Sequence, residues 1–250
     1  MERLSTTEQT NMTNELSSKA ALLALSFIVF GGLALASQSA NAAVTLELTS
    51  GATTITLADG DLGDACPNVG CVTFLGAIGD FTLSVSTGLS KPAIGTPTVA
   101  AIDLSSVNIS AAAGTITLKI SDVDFSLDSA AGFGQVNIGG TTPATSGSVS
   151  VASFIDLGNL LFGASIPIGS LGPFGGPAFS GSDGGGLALT NPFSMTSIVT
   201  ITHGGAGTTS FNAETLVEVA VPEPATLALL GGGLLAFGFF ARRRKRRTSV

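Results

Sequence analysis

Apolar and polar residues alternate with period two at residues 44–49 (VTLELT), 81–86 (FTLSVS), 147–151 and 215–221, which predicts half-buried antiparallel strands. Along residues 115–125 the apolar phase runs Ile116, Leu118, Ile120 and then slips to Val123 and Phe125. That slip predicts a β-bulge near Ser121 and Asp122, with Asp122 and Asp124 turned to one face. Turn signals at Gly51, Asp59-Gly60, Gly79, Gly114 and Gly204-Gly205 divide the middle of the chain into roughly eight to ten short strands without a helix, the pattern of an all-β antiparallel sandwich. Residues 158–193 break the alternation with ten Gly and four Pro, and read as a long loop studded with Phe. No repeat of fixed period is present, which argues against a solenoid.

Two uncharged apolar runs bracket this middle. Residues 20–36 (AALLALSFIVFGGLALA) follow Lys19 and lead into SQSANA, where Ala40 and Ala42 fit the small-residue positions of a signal peptidase site. Residues 1–42 are thus expected to be a signal peptide whose helix is removed at export. An uncleaved anchor helix is the rival. Residues 225–241 (ATLALLGGGLLAFGFFA) form the second run, and at 1.5 Å per residue they reach about 25 Å, the short limit of a transmembrane helix. Arg242, Arg243, Arg244, Lys245, Arg246 and Arg247 follow at once and by the positive-inside rule stay cytoplasmic, which leaves the middle on the far side of the membrane. The expected organisation is a signal at 1–42, a glycine-rich β-sandwich domain at 43–220 with its loop at 158–193, and a tail at 221–250.

Charge and composition narrow the role of the middle. Without the two ends it keeps two lysines, Lys91 and Lys119, against thirteen carboxylates, a net charge of −11. No nucleic-acid partner is expected of such a surface. The chain has fifteen Phe and no Trp or Tyr, so its aromatic rings read as core filler rather than as a recognition surface. Cys66 and Cys71 enclose a turn-prone Pro-Asn-Val-Gly, and in an oxidising compartment they are expected to form a small-loop disulfide. A metal site at these cysteines lacks a second pair and a nearby His.

Candidate chemistry is sparse. His203 stands alone before Gly204-Gly205 and reads as a satisfied or exposed loop histidine, with no nucleophile elbow and no phosphate-binding loop elsewhere, so no catalytic residue and no enzyme activity are expected. Asp59, Asp61 and Asp64 are clustered carboxylates in a flexible turn, the best candidate for holding calcium, ahead of Asp122, Asp124 and Asp128. The first three depart from the EF-hand pattern, and a solvated acidic turn is the plainer reading. Three Thr-x-Thr triplets, at Thr54, Thr115 and Thr200, have the composition of ice-binding threonine ladders. Their separations of 61 and 85 residues are irregular, and solvent-facing threonine on ordinary strands accounts for them.

The tail reads Val221-Pro222-Glu223-Pro224-Ala225-Thr226, then the apolar run, then the arginine cluster. In that order the three parts resemble the PEP-CTERM sorting signal. The resemblance implies recognition at Pro222, Glu223 and Pro224 by a membrane transpeptidase-like exosortase, with Arg242, Arg243 and Arg244 completing the signal. An ordinary tail anchor that starts its helix at proline is the rival. Signal peptidase and the exosortase would be the processing partners, and the membrane is met through the C-terminal helix. The expected product is a non-enzymatic exported protein, held in the inner membrane as precursor and then placed at the cell surface or in the extracellular matrix. The alternatives are a surface module that binds calcium or extracellular polysaccharide, and a periplasmic protein with a permanent tail anchor.

Overall fold

The computed structural model of the chain describes residues 44–143, 147–219 and 230–234, all within the second of its two units, Ala42–Val250. Side chains that alternate in polarity, with many β-branched residues, favour extended backbone over helix. Twelve strands result among the described residues: β1 (Thr45–Ser50), β2 (Thr53–Ala58), β3 (Cys71–Ile78), β4 (Phe81–Leu89), β5 (Val99–Ser110), β6 (Gly114–Phe125), β7 (Ala131–Thr141), β8 (Gly147–Asp156), β9 (Ile166–Phe174), β10 (Phe179–Ala188), β11 (Phe193–His203) and β12 (Gly207–Val219).

They form two six-stranded antiparallel sheets, ordered β2-β1-β6-β11-β8-β9 and β10-β7-β12-β5-β4-β3. Contacts between the sheets pair β2 with β3, β1 with β4, β6 with β5, β8 with β7 and β9 with β10, so the layers lie face to face in matching order. Leu46, Leu118 and Ile201 from the first sheet meet Ile102, Val136 and Val217 from the second in one continuous core, all six fully buried. Each such side chain contributes roughly 1.5–3 kcal/mol on leaving water.

Successive strands run in opposite directions, so every connection falls at one of two ends. Both limits of the sandwich, the start of β1 and the finish of β12, lie at the same end, together with connections 59–70, 90–98, 126–130, 157–165 and 189–192. The other end holds the links 51–52, 79–80, 111–113, 142–146, 175–178 and 204–206, none longer than five residues.

Two expectations are corrected. Residues 158–193 are not one long loop, because β9 and β10 lie within them as outer strands of the two sheets. Glycine is required there by crowding: a Cβ on Gly184 would strike the carbonyl oxygen of Gly134 on the paired β7, and Gly172 takes a φ of +99°. Pro167 and Pro173 sit near the two tips of β9, an edge strand, where proline is tolerated. The bulge in β6 also differs from expectation. Between the pairs Asp122–Met195 and Phe125–Phe193, β6 holds one residue more than β11, which places the bulge at Val123 and Asp124, with Asp124 at φ 60°. Asp122 and Asp124 consequently part company: Asp122 is buried and Asp124 exposed.

Candidate functional site

The end with the longer connections carries most of the charged side chains. In connection 59–70 the carboxylates turn onto backbone amides. Ala58 N donates to Asp61 Oδ2 at 2.8 Å, Gly60 N to Asp64 Oδ2 at 3.1 Å, and Cys66 N and Thr73 N both to Asp64 Oδ1 at 2.8 Å. Gly70 N donates to Asp59 Oδ2 at 2.7 Å. All three carboxylates thus accept from backbone amides and brace a turn. Among the described residues no group of three or more His, Cys, Asp or Glu is placed to hold a metal ion. Cys66 and Cys71 are disulfide-bonded, with Cα atoms 5.9 Å apart, which ties the same connection to the first residue of β3.

Beside it lies a clasp that periodicity did not reveal. Asp122, fully buried at the β6 bulge, receives Ser90 Oγ at 2.6 Å and Lys91 Nζ at 2.9 Å on Oδ2, and Val123 N at 2.8 Å on Oδ1. Lys91 Nζ also donates to the Val123 carbonyl and sits 4.2 Å from the centre of the Phe125 ring. A buried carboxylate is tolerable only when its charge and lone pairs are matched, and here they are. Lys91 forms one wall of a cleft of about 360 Å³ whose other walls include Ile94, Thr96, Val99, Asp124, Phe125 and Leu127.

Connection 157–165 is tied to that cleft through Asp124, one of its lining residues. Asn159 Oδ1 accepts from Asp124 N at 2.8 Å and Asn159 Nδ2 donates to Asp124 Oδ1 at 2.6 Å. Ser194 Oγ donates to the Leu160 carbonyl at 2.6 Å, and Phe162 N to Ser121 Oγ at 2.9 Å. Asn159 and Phe162 are held at positive φ, 56° and 58°. So fixed, the loop leaves Leu160 64% and Leu161 43% exposed. Between Thr96 and Val99 in the chain, the Thr98 carbonyl accepts from Val219 N at 3.1 Å, where β12 ends.

His203 is buried at the other end of the sandwich, 1% exposed, with Phe81 5.3 Å from its ring. Nδ1 faces Ser110 Oγ and Nε2 faces Thr209 Oγ1, both at 2.6 Å; Ser110 Oγ donates to the Gly205 carbonyl at 3.2 Å, and Thr209 meets Thr142 Oγ1 at 2.9 Å. One assignment satisfies every group: Thr142 donates to Thr209, Thr209 to Nε2, Nδ1–H to Ser110, and Ser110 to Gly205. Burial lowers the pKa of His203 from its ordinary 6.5. Neither ring nitrogen faces a carboxylate, so the Ser–His pair lacks the third member of a triad.

The outer faces of the two sheets differ. On the first, the Thr-x-Thr triplets that are irregular along the chain come together: Thr54, Thr49, Thr117, Thr200 and Ser150 are paired in one row across five strands, and Thr115, Thr202 and Ser148 in another. On the second, Ser182, Asn137, Glu214 and Asp103 form a row across β10, β7, β12 and β5. Asn212 Nδ2 donates to Asp103 Oδ2 at 2.8 Å and to Ser105 Oγ at 2.7 Å, and Asn137 Nδ2 to Glu214 Oε2 at 3.4 Å. Burial raises the Asp103 carboxyl above 3.8; the hydrogen bonds from Asn212 and Ser105 oppose the rise and the Glu214 charge adds to it. Phe133, 49% exposed, stands on the same face, paired with Gly186 on one side and Glu218 on the other. The period-two polar residues of β7 (Gln135, Asn137) and β12 (Asn212, Glu214) were the available signal for this row, but it emerges only when the two strands are known to pair.

The expected cleavage site at Ala40 and Ala42, the tail residues Pro222, Glu223 and Pro224, and Arg242, Arg243 and Arg244 lie outside the described residues. Of the expected span at 225–241, residues 230–234 are described, and they are helical. No helix among the described residues is long and apolar enough to cross a membrane.

By fold the protein is all-β, built from two antiparallel sheets. Its tail supplies the more particular identification: residues 220–245 match the PEP-CTERM protein-sorting motif, so the chain bears the signal of exported proteins processed by an exosortase, a membrane enzyme. No curated protein matches it. Among solved structures it is distantly similar to the carbohydrate-binding module TmCBM61 in complex with β-1,4-galactotriose, with a TM-score of 0.32 and 9% identity over 55% of this chain and 88% of that one. The mannan-recognising module TmCBM27 gives 0.27 and 8%, over 58% and 85%. The enzymatically active domain of bacteriophage CBA120 tailspike protein 4 gives 0.28 and 13%, over 52% and 18%. Likenesses this slight carry no conclusion about function.

Proposed function

We propose that the chain is an exported precursor which an exosortase-type enzyme trims near Pro222, leaving the two-sheet domain as a non-enzymatic protein of the cell surface or extracellular matrix. The observation that carries this reading is the sorting motif at residues 220–245. Pro222 and Pro224 fit it physically, since proline keeps the backbone extended and stops a membrane helix from growing outward through the recognition peptide. Intact mass and C-terminal sequencing of the protein recovered from the surface or medium test it. A chain running from Ala43 to the neighbourhood of Pro222 is expected, and Glu223→Ala or removal of residues 242–247 should leave precursor in the inner membrane. A recovered chain still ending at Val250 would mean a permanent tail anchor.

A second reading, polysaccharide binding by the mature domain, is favoured by the row Ser182, Asn137, Glu214 and Asp103 with Phe133 on the same face. A hydroxyl, an amide and two carboxylates in a line offer donors and acceptors to sugar hydroxyls, and an exposed ring offers a stacking surface. In affinity electrophoresis through gels of neutral and amino-sugar polysaccharides, retardation of the wild-type chain should be lost in Phe133→Ala and Asn137→Ala. Equal mobility of all three with and without polysaccharide would remove this reading.

A further inference from the structure

Four features lie at the same end of the sandwich as the cleft. Val219, the last residue of β12, is hydrogen-bonded to Thr98, which stands in the chain between Thr96 and Val99 of the cleft lining. Asp124 lines the cleft and is locked to Asn159 of connection 157–165. That connection holds Leu160 and Leu161 in solvent through fixed hydrogen bonds and two non-glycine residues at positive φ, a conformation that backbone sterics disfavour. A loop that merely joined β8 to β9 would have no need to present two adjacent leucines rigidly to water. The fourth feature is the closeness of the sorting motif: two residues, Ala220 and Val221, separate Val219 from Pro222.

From Val219 to Pro222 is three Cα–Cα steps, at most about 11 Å, about the diameter of one helix. Any enzyme that takes hold of Pro222-Glu223-Pro224 must come against this end of the domain. We propose that Leu160, Leu161 and the cleft lined by Ile94, Val99, Phe125 and Leu127 at the same end form a docking surface for the membrane enzyme that cuts the tail. This rests on the sorting reading above. Charge argues against the bilayer surface as the occupant: Asp59, Asp61, Asp64, Asp124, Asp128 and Asp156 all lie at this end, and Lys91 is paired with Asp122. Anionic headgroups repel such a surface. A protein groove with apolar pockets and a basic rim fits it.

The test follows conversion of full-length precursor to product by pulse-chase in cells that process the wild-type chain. Leu160→Ser/Leu161→Ser is expected to slow conversion about tenfold, the size of effect a few buried anchors give, while leaving the thermal midpoint of the recovered domain unchanged. Inserting ten Gly/Ser residues after Ala220 should slow conversion of the wild-type sequence to a similar degree and abolish the difference between leucine and serine at 160 and 161, because the tail is then uncoupled from the docking surface. Unchanged conversion of the double variant overturns the inference, as does faster conversion after insertion, which would make the domain an obstacle. Leucine-dependent sedimentation of the processed protein with anionic phospholipid vesicles would reassign the surface to the bilayer and also overturn it. A wild-type chain that is never converted removes the sorting reading itself, a distinct result.

Discussion

His203 shows how a side chain can have partners that its local sequence does not announce. Its position before Gly204-Gly205 suggests a strand end, with the ring satisfied or exposed; it is the last residue of β11, and its ring is buried where Ser110 and Thr209 take both nitrogens. Those partners are 93 and 6 residues away, and nothing in the local sequence announces the more distant one. Burial sets the sign of the pH dependence. The unfolded chain protonates His203 near pH 6.5 and the folded chain only at lower pH, so the stabilisation is complete above about pH 6.5 and is lost as pH falls toward the depressed folded value. Thermal melts between pH 7.5 and 5 should show the midpoint falling with pH, with a shallower fall in His203→Gln. An unchanged slope in the variant would assign the effect to other groups.

At the scale of elements, alternation located β1, β4, β8 and the end of β12 because each has one face in the core and one in water. It failed for β9 and β10, whose glycines and prolines answer to close packing and edge position rather than to polarity. The acidic connection 59–70 was legible as a turn but not in its purpose. Aspartates spaced for a cation are equally spaced for backbone amides, and only coordinates show which partner they meet. Asp64 accepts three amides, from Gly60, Cys66 and Thr73, so Asp64→Ala is expected to cost about 2–3 kcal/mol by leaving those donors to water or unpaired. Denaturant unfolding measures that cost. Millimolar calcium should leave the wild-type midpoint where it is, since a cation would have to displace amides already in place; a rise would restore calcium as a ligand.

For the whole molecule, the sorting address was legible because it is linear: proline, apolar run and arginine cluster are read in order by whatever binds them. The pairing of strands was not. β1 joins β6 and β5 joins β12 across long stretches of chain, so which polar residues stand side by side is decided by topology. The threonine rows make the point, being irregular in sequence and aligned in space. The polar row of the second sheet was hidden for the same reason.

β12 is a central strand of its sheet, flanked by β5 and β7, and it is also the last strand before the motif. During vectorial export the sheet remains in two halves until residues 207–219 arrive. Closing it reels in the polypeptide, so the motif passes from a slack tether of more than a dozen residues to a two-residue leash. Folding thus sets the distance at which the cut is made, and a chain that has failed to insert its final strand carries the same address at a different reach from its body.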